Sequence, residues 1–146
     1  MKNTATATII ETAQQTADKL IVELQHTYPG VNFTLLANEE MDIPNDEAPH
    51  IIIKWLDGPT EMAVYKTARP YQSTEDGRIE APMGYYIRDQ HFIGAYYIVP
   101  ERELSTERKA AVMKVAESFG YTEKTVCGFQ MDLWEEELVA NGKLSK

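Results

Sequence analysis

The sequence predicts an α+β fold: a mainly antiparallel four-stranded sheet with helices packed on one face. Three observations predict it. Several stretches carry apolar residues at three- and four-residue steps, the helical period. Four short runs are β-branched or aromatic and bounded by turn formers, as strands are. The two kinds follow one another as α-β-β-α-β-β-α-α, the order of a sheet covered by helices. The order hints at an αββ duplication, but the two halves share no residue pattern.

The elements follow in turn. From Thr4 to His26, Ile9, Ile10, Ala13, Ala17, Leu20, Ile21 and Leu24 fall on one helix face. Tyr28-Pro29-Gly30 ends that helix, since proline cannot continue it and glycine accepts the left-handed cap region. Val31, Phe33 and Leu35 then alternate with polar residues as a half-buried strand. In the second strand, Ile51 to Trp55, the residues Ile51, Ile53 and Trp55 share a face. Asp57-Gly58-Pro59-Thr60 turns the chain into a helix from Glu61 to Ala68, closed by Pro70. The polar stretch that follows reads as a loop.

Gly84–Arg88 and Ala95–Val99 form two further strands, joined by a short connection, and Pro100 ends the second. Ser105 caps a helix reaching Phe119, with Ala110, Met113, Ala116 and either Val112 or Phe119 buried. A last helix, Met131–Ala140, turns Leu133, Trp134 and Leu138 inward and Glu135, Glu136 and Glu137 outward.

The 146 residues suit one domain spanning 1–146. With one cysteine, Cys127, no intrachain disulfide can form. The opening residues lack the apolar core of a secretory signal, and no stretch is long enough to span a bilayer. The expected location is cytoplasmic, with no membrane partner. The formal net charge of −9 disfavours duplex DNA, whose binding rests on lysine and arginine displacing counterions. It also fits a protein partner with a basic surface, including one that normally holds nucleic acid, and plain solubility is the blander reading. The acidic stretch with Glu39, Glu40, Asp42, Asp46 and Glu47 is the natural complement to such a surface.

No catalytic constellation stands out. His26, His50 and His91 lie on different elements without metal-ligand spacing, so no metal is expected. No glycine pattern cradles a phosphate, and no cofactor is implied. Cys127 has no base near it in sequence. Tyr85, Tyr86, Tyr96 and Tyr97 lie on neighbouring predicted strands. The outward rings, taken as Tyr86 and Tyr97, together with Arg88 could stack bases or a partner side chain. Cross-strand aromatic packing is the plainer reading. Arg102 stands at a strand end, as a ligand contact or the partner of an acid. Asp57 is explained as a turn residue and kept as a binding candidate.

Three stretches together resemble a known family. They are Y-P-G-V-N-F-T (Tyr28–Thr34), I-K-W-L-D-G-P-T (Ile53–Thr60) and G-A-Y-Y-I-V-P-E-R-E-L-S (Gly94–Ser105). In order and residue type they are similar to the large polyvalent protein-associated domain numbered twenty-nine. That pattern has an aromatic-Pro-Gly-Val after the first helix, then Trp-x-Asp-Gly-Pro. A later strand leads to an arginine and a serine. The resemblance implies a small α+β protein of a phage, plasmid or other mobile element, and it supplies no catalytic residues. The chain departs from the pattern between its first two strands, where the acidic stretch replaces a serine- and glycine-rich link.

The expected function is therefore a non-enzymatic accessory protein of a mobile element that binds a macromolecule. One form is an inhibitor of a host defence nuclease acting through the acidic surface. The alternatives are a single-stranded nucleic-acid or nucleotide binder using the tyrosine/arginine face, and a small hydrolase using Asp57, His91 or Cys127.

Overall fold

The computed structural model describes residues 7–38, 48–74, 83–122, 124–125 and 128–144. The fold is α+β. Among the described residues it has two three-stranded mixed sheets in place of the expected four-stranded antiparallel one.

The larger sheet runs β2 (Thr34–Ala37), β3 (His50–Leu56), β6 (Tyr97–Glu103), with β3 central. β2 pairs antiparallel with β3, and β6 pairs parallel with it, placing Ile51 beside Ile98 and Trp55 beside Arg102. The smaller sheet runs β1 (Ile9–Ile10), β5 (Gln90–Ile93), β4 (Tyr85–Ile87). Here β1 is parallel to β5, and β4 forms a hairpin with it through Arg88-Asp89.

Among the described residues, four α-helices complete the fold: α1 (Ala13–Thr27), α2 (Glu61–Ala68), α3 (Thr106–Ser118) and α4 (Gly128–Ala140). A 3-10 turn, Arg69–Tyr71, follows α2 and contains Pro70.

Two differences from the expected elements have local causes. Ile9 and Ile10 belong to a strand, because Thr12 is the N-cap and the helix starts at Ala13. The Thr12 side chain accepts from Gln15 N, and the Gln15 side chain accepts from Thr12 N, a reciprocal capping box. The threonine-rich, β-branched stretch before it favours extended backbone.

The second difference concerns Pro100, which lies within β6 instead of ending it. β6 is an edge strand, where a missing N–H is tolerated. The rest of that edge is also closed. Ile98 N donates to Gln72 Oε1 at 3.0 Å and Arg102 N to Glu61 Oε2 at 3.0 Å. Two side-chain acceptors and a proline thus blunt the edge against another strand.

The main core joins Ala13, Ala17, Leu20 and Leu24 of α1 and Val64 and Ala68 of α2 to Ile51, Ile53 and Trp55 of β3. The opposite face of the larger sheet exposes Lys54, Leu56, Glu101 and Glu103. A second apolar cluster gathers Val112, Ala116 and Trp134 from α3 and α4. Of the stripe expected on α3, Val112 and Ala116 are buried, Met113 is half-buried, and Ala110 and Phe119 are exposed.

Candidate functional site

The Asp57–Thr60 corner is hydrogen-bonded at every carbonyl. Asp57 and Gly58 adopt positive φ of 53° and 68°. Arg102 Nε donates to Asp57 O at 3.1 Å and Arg102 Nη2 to Gly58 O at 2.9 Å. Trp55 Nε1 donates to Pro59 O at 2.9 Å, and Val64 N to Thr60 O at 3.1 Å. The Asp57 carboxylate accepts from Ser105 N at 2.8 Å and so caps α3 from outside. Ser105 stands at the N-cap as expected, but its own hydroxyl makes no cap bond.

The three quoted stretches meet here. Tyr28 packs on Phe33 at 6.1 Å between ring centroids, and Phe33 packs on Trp55 at 5.7 Å. A Cβ on Gly58 would lie 3.4 Å from Val31 Cγ2, so the turn is in close contact with that valine. Arg102 closes the corner from β6.

Arg102 is held on its far side by acids from α4. Its Nη1 lies 2.7 Å from Glu135 and 3.3 Å from Asp132, and Arg108 reaches Glu135 at 2.8 Å. Asp132 also accepts from Glu61 N at 3.3 Å. Burial pushes the Glu135 carboxyl up, but the hydrogen bonds and charges of Arg102 and Arg108 outweigh it and hold the acid below its ordinary range. Burial raises Asp132 as well. There Arg102 offsets it only in part, and the Glu61 and Glu135 carboxylates push it further up. Glu135 was expected to face outward. It is buried because it shares a helix stripe with Met131, Trp134 and Leu138, opposite two arginines.

The smaller sheet is anchored by a second buried carboxylate. Glu11 accepts from Thr16 Oγ1 at 2.6 Å, from Lys19 Nζ at 2.7 Å and from the Tyr85 hydroxyl. Burial, then the hydrogen bond and charge of Glu11, push the Tyr85 phenol well above its ordinary value. Lys19 Nζ also sits 3.4 Å over the Phe92 ring. Gly94 is required beside this cluster, because any Cβ there would collide with Thr16 Oγ1.

These contacts fix which face of the smaller sheet looks outward. Tyr85, Phe92 and Ile9 share the inner side by register, and Tyr86, His91, Ile93 and Ile10 share the outer. On the outer side Ile10 is 74% exposed and Tyr86 68% exposed. The Tyr86 ring stacks on His91 at 4.6 Å. His91 Nε2 donates to Met83 O at 2.7 Å, and its Nδ1 bonds Thr8 Oγ1 at 2.8 Å, so the ring ties β1 to the start of β4.

The expected tyrosine/arginine platform is divided between the sheets. Tyr86 and the exposed Arg88 belong to the β4–β5 hairpin. Tyr97 lies on β6 and stacks on His50 at 4.9 Å, while Arg102 projects from the other side of that strand into its ion network. Asp57 is engaged in the corner. Glu39, Glu40, Asp42, Asp46, Glu47 and Cys127 lie outside the described residues.

An open cleft of about 960 Å³ runs along α3, lined by Leu104, Lys109, Met113, Glu117, Tyr121 and Met131 among others. Among the described residues no three His, Cys, Asp or Glu side chains group to hold a metal, and no helix is long and apolar enough to cross a membrane.

No family model, curated protein or solved structure matches the chain.

Proposed function

We propose that the chain is a non-enzymatic accessory protein of a phage or other mobile element that binds a protein partner through the outer face of the β1–β5–β4 sheet. The mobile-element origin rests on the three resembling stretches. The binding role rests on one observation: Ile10 and Tyr86 stand exposed on a face whose backbone is pinned by His91 and the Glu11 cluster. Exposed apolar groups on a preorganised surface are what interfaces use as anchors. A pull-down from bacterial lysate tests it, comparing wild type, Ile10→Ser/Tyr86→Ser and the control Val22→Ser. A partner retained by wild type and control and lost by the double variant is expected. Equal retention by all three removes the reading.

The same reading allows an inhibitor of a host defence nuclease, with the acidic stretch against a basic groove. Neutralising Glu39, Glu40, Asp42, Asp46 and Glu47 then abolishes capture of that partner. Unchanged capture rejects this form.

A second reading, single-stranded nucleic-acid binding, is favoured by the exposed Tyr86 ring beside Arg88 at the hairpin turn. Stacking contributes about 1–3 kcal/mol per base. Oligonucleotide titration at low salt tests it, and absence of binding at high micromolar protein rejects it.

A further inference from the structure

The apolar side chains form two clusters that share no residue among those described. One unites α1, α2 and the larger sheet. The other unites α3 and α4 around Val112, Ala116 and Trp134. The seam between them is largely polar. Arg102 and Glu61 face it from the body, Arg108 from α3, and Asp132 and Glu135 from α4. Asp57 adds its bond to Ser105 N.

A charged seam differs from an apolar one in what happens when it opens. Its ions regain water, and that hydration offsets much of the lost attraction. An apolar seam gains nothing comparable on exposure. The weakest surface in this fold therefore runs along the Arg102 network, with an intact apolar cluster on each side.

We propose that α3 and α4 form a lid that opens from the body as one unit, with Arg102 to Glu135 as its latch, ahead of global unfolding. Opening withdraws Glu135 and Asp132 from Arg102. It leaves the guanidinium bonded only to the carbonyls of the Asp57–Gly58 corner. The inference does not depend on the outer face of the smaller sheet.

Native-state hydrogen exchange of the full chain, read by peptide mass across a series of low urea concentrations, tests it. Peptides from α3 and α4 are expected to share one opening, at least about tenfold more frequent than that of α1 and β3. That opening carries a measurable urea slope, unlike the fraying of a helix end. Glu135→Gln is expected to raise it about tenfold further, and the opening of α1 and β3 with it, because global unfolding breaks the same latch. Ile51→Val loosens only the body and is expected to speed α1 and β3 while leaving α3 and α4 unchanged. Separate openings for α3 and α4, or one opening shared with α1 and β3, overturns the proposal. So does acceleration of α3 and α4 by Ile51→Val as large as that of α1 and β3.

Discussion

Arg102 Nη1 lies 2.7 Å from Glu135 Oε1, and the two side chains are 4% and 5% exposed. This contact joins the last helix to a turn far away in sequence, because the same guanidinium holds the carbonyls of Asp57 and Gly58. An ion pair at this depth is all-or-none. Closed, it satisfies both charges. With one partner deleted, it leaves a buried charge uncompensated.

Replacing Glu135 with alanine is therefore expected to cost on the order of 3–5 kcal/mol of stability at neutral pH. Asp132→Asn should change it by less than about 1 kcal/mol, because the ionised Asp132 is already disfavoured by burial and two neighbouring acids. Urea denaturation of the two variants checks the contrast. Similar losses for both would contradict the assignment of Glu135 as the main anchor.

The pH dependence follows from the directions of the two shifts. Glu135 is held low, so its contribution is present above the unfolded carboxylate value and lost as pH falls through the folded one. Asp132 is held high, so its contribution is present below the unfolded value and lost as pH rises through the folded one. The stability gap between wild type and Glu135→Gln should thus shrink as pH drops below the ordinary carboxylate range. A gap that stays constant into strong acid argues against an ionised Glu135 in the fold.

The closed edge of β6 makes a separate prediction. Gln72→Ala/Pro100→Val frees the Ile98 N–H and adds another at position 100. The double variant should associate with rising concentration in light scattering, while wild type does so less. Identical scattering would show that these residues do not guard the edge.

At the other buried carboxylate, Tyr85→Phe removes one of the donors to Glu11 and should cost about 1 kcal/mol. Gly94→Ala should cost more, because the new Cβ meets Thr16 and Glu11. Thermal melts of both variants decide the order. A Gly94→Ala protein as stable as wild type would mean that the β1–β5–β4 sheet is not packed this closely on α1.

Much of the local structure was legible in sequence. α2 spans Glu61–Ala68 as its spacing predicts, and β3 buries Ile51, Ile53 and Trp55 as alternation requires. The Asp57–Thr60 turn also matched, because glycine and proline act locally. What was hidden depends on distant partners. Parallel pairing of β3 with β6 has no local signature, and the four-residue strand Gln90–Ile93 lies where the sequence predicts only a connection. Glu135 did leave a signal. It interrupts the Met131, Trp134, Leu138 stripe at a helical step, and an acid there calls for a buried cation. Dividing the tyrosines between two sheets required the fold itself.

Under the proposed function, Tyr86 belongs to a partner-binding surface. A photoreactive phenylalanine at position 86 tests it most directly, with the same group at the exposed position 22 of α1 as control. The prediction is a discrete protein adduct from position 86, absent from position 22 and competed away by wild-type protein but not by Ile10→Ser/Tyr86→Ser. The same adducts from both positions, or none that wild type competes, would contradict it.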